Sequence, residues 1–394
     1  MNLMLRAAIA LLLLSPGLVC AGDTLRPEVS KPLQAAQTLL KQQKYRDALA
    51  QVAAADAVSG KTPYESFIIE RMRSSAALGA GQLDIAAKSS TSVIATGRLS
   101  KDEMKQVSQS MAIAYYRDKQ YAKVPAWVQN YDQYGGADPA VDQLLAQSDF
   151  LSGNYADATK ELRQHLDAQN KAGQRPSEDE LQLLANCALK QKDDEAYRLA
   201  MEQLVRYYPK KDYWVDLISR VQAAGSSDQL NLDIYRLKRA TGTLSGAADY
   251  VEMAEMSLQA GCPTEALQVL AEGYQAKILG NGPGAARQQR LKELAQRQAI
   301  GAKPSVGQLA DADAKVNTGY EQVAAGKIDA GIAMMKMAIT QGGLKSPDVA
   351  TLRLGEASLI AGRTTDASRA FQAVRSGSAK SLASLWEIQA NRKP

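Results

Sequence analysis

The feature that most constrains this chain is a six-residue motif that returns along most of its length: glycine, any residue, a large residue, two more, then alanine. It reads Gly81-Gln-Leu83-Asp-Ile-Ala86, Gly153-Asn-Tyr155-Ala-Asp-Ala158, Gly261-Cys-Pro263-Thr-Glu-Ala266 and Gly362-Arg-Thr364-Thr-Asp-Ala367. Gly326-Lys-Ile328-Asp-Ala-Gly331 keeps the form with glycine in the last place. Glycines 81, 153, 225, 261, 326 and 362 are separated by 72, 72, 36, 65 and 36 residues. Four of these five separations are multiples of 36, so units are expected at the half-steps with glycine replaced. Gln43 heads such a copy with Tyr45 and Ala48, Lys119 another with Tyr121 and Val124, and Lys192 a looser one ending at Tyr197. Nine units with a period near 36 result.

Each unit reads as two helices. Aromatics are only 6% of the chain, with Ala, Leu, Gln, Lys and Glu abundant, a mix that favours helix over strand. Glycine at the turn ends the first helix without steric cost. The large residue two places on fills the space between the helices, and the small residue at Ala48, Ala86, Ala158, Ala266 or Ala367 lets the second helix pack close. Neither helix pair buries enough by itself, so the pairs must stack on one another.

These residues resemble the tetratricopeptide repeat family. Trp214, Leu354-Gly355, Gly153-x-Tyr155, Ala158, Phe371 and Pro209 match its Trp…Leu-Gly…Gly-x-Tyr…Ala…Phe…Pro pattern, spread over several units. The resemblance covers about Lys31 to Gly280 and Asp311 to Val374. It implies an all-α, right-handed superhelical solenoid of stacked helix-turn-helix repeats that binds protein and performs no chemistry. It also suggests an envelope scaffold of bacteria, near a TonB-type assembly. The other reading is an accessory superhelical protein of cell-wall or exopolysaccharide processing and export.

The first residues stand outside this pattern. A basic start with Arg6, an apolar run from Ala7 to Leu14, a break at Ser15-Pro16 and small residues before Gly22 read as a secretory signal peptide cleaved after Ala21. Cys20 opens a lipoprotein alternative, with Val19 where small residues are preferred. No other stretch reaches about 18 continuous apolar residues, so no transmembrane segment is expected. The expected location is the periplasm. Loss of Arg6 lowers the formal net charge from +5 to +4, and the charges alternate along the chain, which excludes a nucleic-acid footprint. The expected organisation is a signal peptide over 1–21, about seven repeats over 22–279, a degenerate repeat or hinge over 280–310, and two repeats with a capping helix over 311–394.

Little in the chain suggests catalysis. His165 is the sole histidine and lies on a second helix, where packing is expected of it. Cys187 and Cys262 are expected to be two independent packed thiols. Ser177-Glu-Asp-Glu180 reads as a helix-capping box and Asp193-Asp194-Glu195 as a turn. The Gly280–Gly284 loop has no following Lys-Ser/Thr, so it is no phosphate cradle. No catalytic residue, metal ligand or cofactor is expected.

What remains is surface. First helices in such stacks line a groove, and groove positions recur at spacing four. This selects Gln109, Ile113, Tyr116 and Arg117, then Gln143, Gln147, Phe150 and Leu151, then Gln182, Asn186 and Lys190. Carboxamides both donate and accept hydrogen bonds, which suits an extended peptide backbone, with Tyr116 and Phe150 as apolar anchors. The expected partner is a protein or peptide of the cell envelope.

Overall fold

Every regular element among the described residues is helical, and the motif turns fall between helices. The structure, a computed structural model, describes residues 24–223, 228–301 and 311–392. The expected cleavage point at Ala21, the alternative Cys20, the turn glycine Gly225 and residues 302–310 of the expected hinge lie outside them.

Two compact units divide the chain between Asp194 and Glu195. The first contains α1 (Pro27–Lys41), α2 (Tyr45–Asp56), α3 (Pro63–Gly79), α4 (Leu83–Ala95) and α5 (Lys101–Arg117). It continues with α6 (Val124–Gln133), α7 (Pro139–Ser152), α8 (Tyr155–Lys171) and α9 (Glu178–Gln191). The second begins with α10 (Asp194–Tyr207), α11 (Lys211–Ala223), α12 (Asn231–Ala240), α13 (Gly246–Gln259) and α14 (Pro263–Gln275). It ends with α15 (Ala285–Gly301), α16 (Ala312–Ala324), α17 (Ile328–Gln341), α18 (Pro347–Ile360), α19 (Thr364–Ala373) and α20 (Gly377–Ala390). The expected boundary at 280 falls inside the second unit.

The turn chemistry follows the motif. Gly153 has φ 85° after α7, and Asn154 returns its N–H to the Asp149 carbonyl at 2.8 Å, closing the helix end. The three residues expected to replace glycine share that backbone: Gln43, Lys119 and Lys192 have φ of 58°, 60° and 57°. Left-handed backbone costs a residue with Cβ about 1–2 kcal/mol, which the surrounding helix pair offsets by packing. Ala48, Ala86, Ala158, Ala266 and Ala367 are fully buried. Where the motif ends in Gly331, a Cβ would lie 2.4 Å from the Gly319 carbonyl oxygen, so α16 and α17 approach as closely as backbones permit.

Unit 1 passes its core from one helix pair to the next. One apolar cluster joins α1, α2 and α3 through Leu33, Val52 and Ile69. Another runs on through Phe67, Leu83, Val107, Trp127 and Val141 to α7. Three first helices open with capping boxes: Thr62 with Glu65, Ser100 with Glu103, and Ser177 with Glu180.

Unit 2 departs from the nearest-neighbour stacking expected of such repeats. Helix α20 packs on α18 and α19 and also on α11 and α12. Trp386 stacks on Phe371 with ring centroids 6.1 Å apart, and Gln389 Nε2 donates to the Ala240 carbonyl at 2.9 Å. Its last helix therefore returns to its early ones. Helix α15 packs on α13 and α14 with Leu291 and Ala295 buried, leaving Arg290 and Arg297 exposed. The loop before it is pinned by the Gly280 N–H donating to Gln288 Oε1 at 2.8 Å.

Candidate protein-binding groove

In unit 1 the first helices of successive pairs are neighbours. Helix α1 packs on α3, α5 on α7, and α7 on α9. Arg71 of α3 joins Glu103 of α5 at 2.8 Å. The groove positions therefore fall on adjoining helices rather than on separated rods.

The expected site residues behave differently from one another. Tyr116 donates its hydroxyl to Gln147 Oε1 at 2.8 Å, linking α5 to α7, and burial pushes its phenol above the usual range. The bond engages the oxygen of the Gln147 carboxamide. Its two N–H donors have no hydrogen-bond partner among the described residues, and both suit a backbone carbonyl. Gln109 Nε2 reaches Asp138 Oδ2 at 3.5 Å, where Asp138 already caps α7. Gln143 is half-buried beside Asp142, whose carboxyl is held above its ordinary range by burial, against the opposing influence of His165. Gln182 donates along its own helix to Glu178 at 3.4 Å. Asn186, Lys190 and Arg117 are exposed.

The two aromatics also close their turns. The Tyr116 ring meets Tyr121 with centroids 5.5 Å apart, and Phe150 meets Tyr155 at the same distance. Each stays half-buried, so one side of the ring remains available. Leu151, next to Phe150, is 49% exposed.

Counting back from each turn residue, the same positions on α1 and α3 are Leu33, Gln37 and Leu40, and Arg71, Ser75 and Leu78. Five of these six line a recess of about 220 Å³ between α1 and α3, which Leu25, Ile68 and Met72 complete on its apolar side. The spacing rule that selected the amides would have found this recess had it been carried to the first two pairs. From α1 to α9 these positions thus mix apolar side chains with carboxamides, and the recess lies at the α1 end.

Other candidates resolve into structural roles. His165 Nδ1 lies 2.5 Å from Glu180 Oε1, joining α8 to the cap of α9. Burial opposes charge on Glu180, but the Ser177 hydroxyl and amide and the Gln169 amide hold its carboxyl below the usual range. Cys187 and Cys262 are free and buried in their separate units. Burial pushes the Cys187 thiol up to about 11, and Cys262 further. In unit 2 a recess of about 540 Å³ surrounds Asp348, which accepts from the Arg375 and Ser376 N–H groups and holds the turn before α20.

No protein-family model matches the sequence, and no curated protein matches it. Among solved structures, the chain is similar to the crystal structure of the yeast Tom70, over 92% of this chain and 95% of that one, at 11% identity and a TM-score of 0.25. A likeness of that degree carries no weight for function. The fold of this chain rests on its own helix pairs.

Proposed function

We infer that this chain is a non-enzymatic scaffold of the bacterial envelope, which holds an extended segment of a partner protein along the first helices of unit 1. One observation carries the reading: the apolar recess between α1 and α3 occupies the same repeat positions as the amides of α5, α7 and α9. An apolar side chain of the partner fills the recess, and its backbone then meets Gln143, Gln147 and Asn186. Binding energy concentrates in such desolvated anchors, while polar contacts set register. The pattern of residues 1–21 supports export to the periplasm, where a TonB-type assembly is the partner class we favour.

The test is crosslinking in the native cell followed by affinity capture and mass spectrometry. Full-length protein recovers an envelope protein, and cleavage after Ala21 appears on N-terminal sequencing. Recovery falls at least roughly tenfold in Leu40→Asp, at the half-buried rim of the recess, and in the Gln147→Ala, Asn186→Ala double variant, since loss of an anchor costs above about 1.4 kcal/mol. Equal recovery by both variants, with unchanged helicity, contradicts the groove. Recovery of glycan alone favours the polysaccharide reading.

A further inference from the structure

Unit 2 encloses a cluster of five charged residues that the binding reading leaves unused. Asp233 and Arg236 lie on α12, Glu265 on α14, and Arg353 and Glu356 on α18. Arg236 gives Nε and Nη2 to Glu265 at 2.7 and 2.8 Å, and Nη1 to Asp233 at 2.7 Å. Arg353 gives Nε and Nη2 to Asp233 at 3.0 Å each, and Nη1 to Asn317 at 3.0 Å. The Tyr320 ring faces the Arg236 guanidinium at 3.6 Å. Two guanidiniums are thus matched by two carboxylates with good geometry.

Glu356 is the third carboxyl. It is 1% exposed, its Oε2 lies 3.4 Å from a guanidinium nitrogen already committed to Asp233, and its Oε1 has no hydrogen-bond partner among the described residues. An unpaired charge in such a place costs several kcal/mol, so neutralisation is the cheaper state. We propose that Glu356 carries a proton in the folded protein, and that closing α12 onto α18 in unit 2 takes this proton up. The proton comes from solvent when unit 2 closes and returns to it when unit 2 opens.

The surroundings agree. From the elements packed about it, Glu356 is faced by Asp233 and Arg236 of α12, Glu265 of α14, Tyr320 of α16, and Arg353 of its own helix. Burial first, then the Asp233 charge, push its carboxyl well above the ordinary glutamate range, against the pull of both arginines. The sign follows. A group whose folded value is raised contributes fully below the unfolded value, and that contribution fades as pH climbs toward the folded one. Closed unit 2 is therefore favoured by acid and weakened by base.

The experiment follows urea unfolding of the full chain by Trp214 and Trp386 fluorescence in a Trp127→Phe background, between about pH 6 and about pH 9. One linked proton changes the folding constant by up to roughly tenfold per pH unit. Wild type should lose stability across this range, and Glu356→Gln should lose less and overtake it at the alkaline end. An unchanged slope in Glu356→Gln overturns the proposal. Should that variant fail to fold, wild type labelled with carbon-13 at glutamate carboxyls decides. A Glu356 signal at the protonated position near neutral pH supports the proposal, and an ionised one overturns it.

Discussion

Glu65 in unit 1 and Glu356 in unit 2 are the same residue type, buried to 0% and 1% exposure, yet their surroundings push their carboxyls in opposite directions. Glu65 accepts from Arg26 Nε and Nη2 at 2.9 Å each, from the Arg26 N–H at 3.1 Å, and from the Thr62 N–H at 2.9 Å. The Arg26 side chain first, then the Thr62 backbone, hold its carboxyl down to about 2. Glu356 has a single long contact. Burial alone therefore does not set the state of a carboxyl; the number of donors aimed at it does. The two units use acids accordingly. In unit 1 Glu65 caps a first helix beside the groove, and in unit 2 Glu356 joins a cluster that ties together helices 120 residues apart in sequence.

The largest expected effect comes from breaking the cluster in unit 2. Arg236→Met strands Glu265 and leaves Asp233 with Arg353 alone, a loss of about 3–5 kcal/mol. Urea unfolding followed by Trp214 and Trp386 should report it, while the Trp127 transition of unit 1 should not move. Close backbone approach gives a smaller effect. Gly331→Ala meets the backbone oxygen of Gly319, whereas the nearest atoms to a Cβ at Gly79 belong to the Tyr45 side chain. The first should cost about 1–3 kcal/mol and the second less, read from thermal or urea midpoints. Glu65→Gln is informative through its pH dependence, with its full effect near neutral pH. A group with a depressed folded value stabilises above its unfolded value and loses that contribution as pH falls. The gap between wild type and Glu65→Gln should narrow from the ordinary glutamate range down to about 2, followed by Trp127 fluorescence.

The repeat was legible because turn geometry is local. A glycine, or a residue forced into its place, recurs wherever a first helix must stop, so Gln43, Lys119 and Lys192 could be assigned by counting. Lys277, with φ 57° after α14, has no motif around it and escaped notice. The capping boxes of Thr62-Pro-Tyr-Glu65 and Ser100-Lys-Asp-Glu103 carried their signal in plain sight, as that at Ser177 did. The cluster around Arg236 carried none. Its members come from α12, α14 and α18, and in sequence each looks like an ordinary charge on a helix surface. Long-range closure depends on where a stack turns back on itself, which no short-range spacing records. The groove lies between these cases: its positions were readable from register, but the Tyr116 bond to Gln147 that joins α5 to α7 was not.

The most direct test of the central claim places a photo-activated crosslinking amino acid, one position at a time, along the groove at Gln37, Ser75, Ile113, Gln147 and Asn186. Matched positions on second helices, such as Lys88 and Gln164, serve as the comparison, and both are exposed. The account predicts that one partner protein crosslinks at several successive groove positions in the native cell and at neither second-helix position. Crosslinks confined to the second helices, or spread equally over both sets, would contradict it.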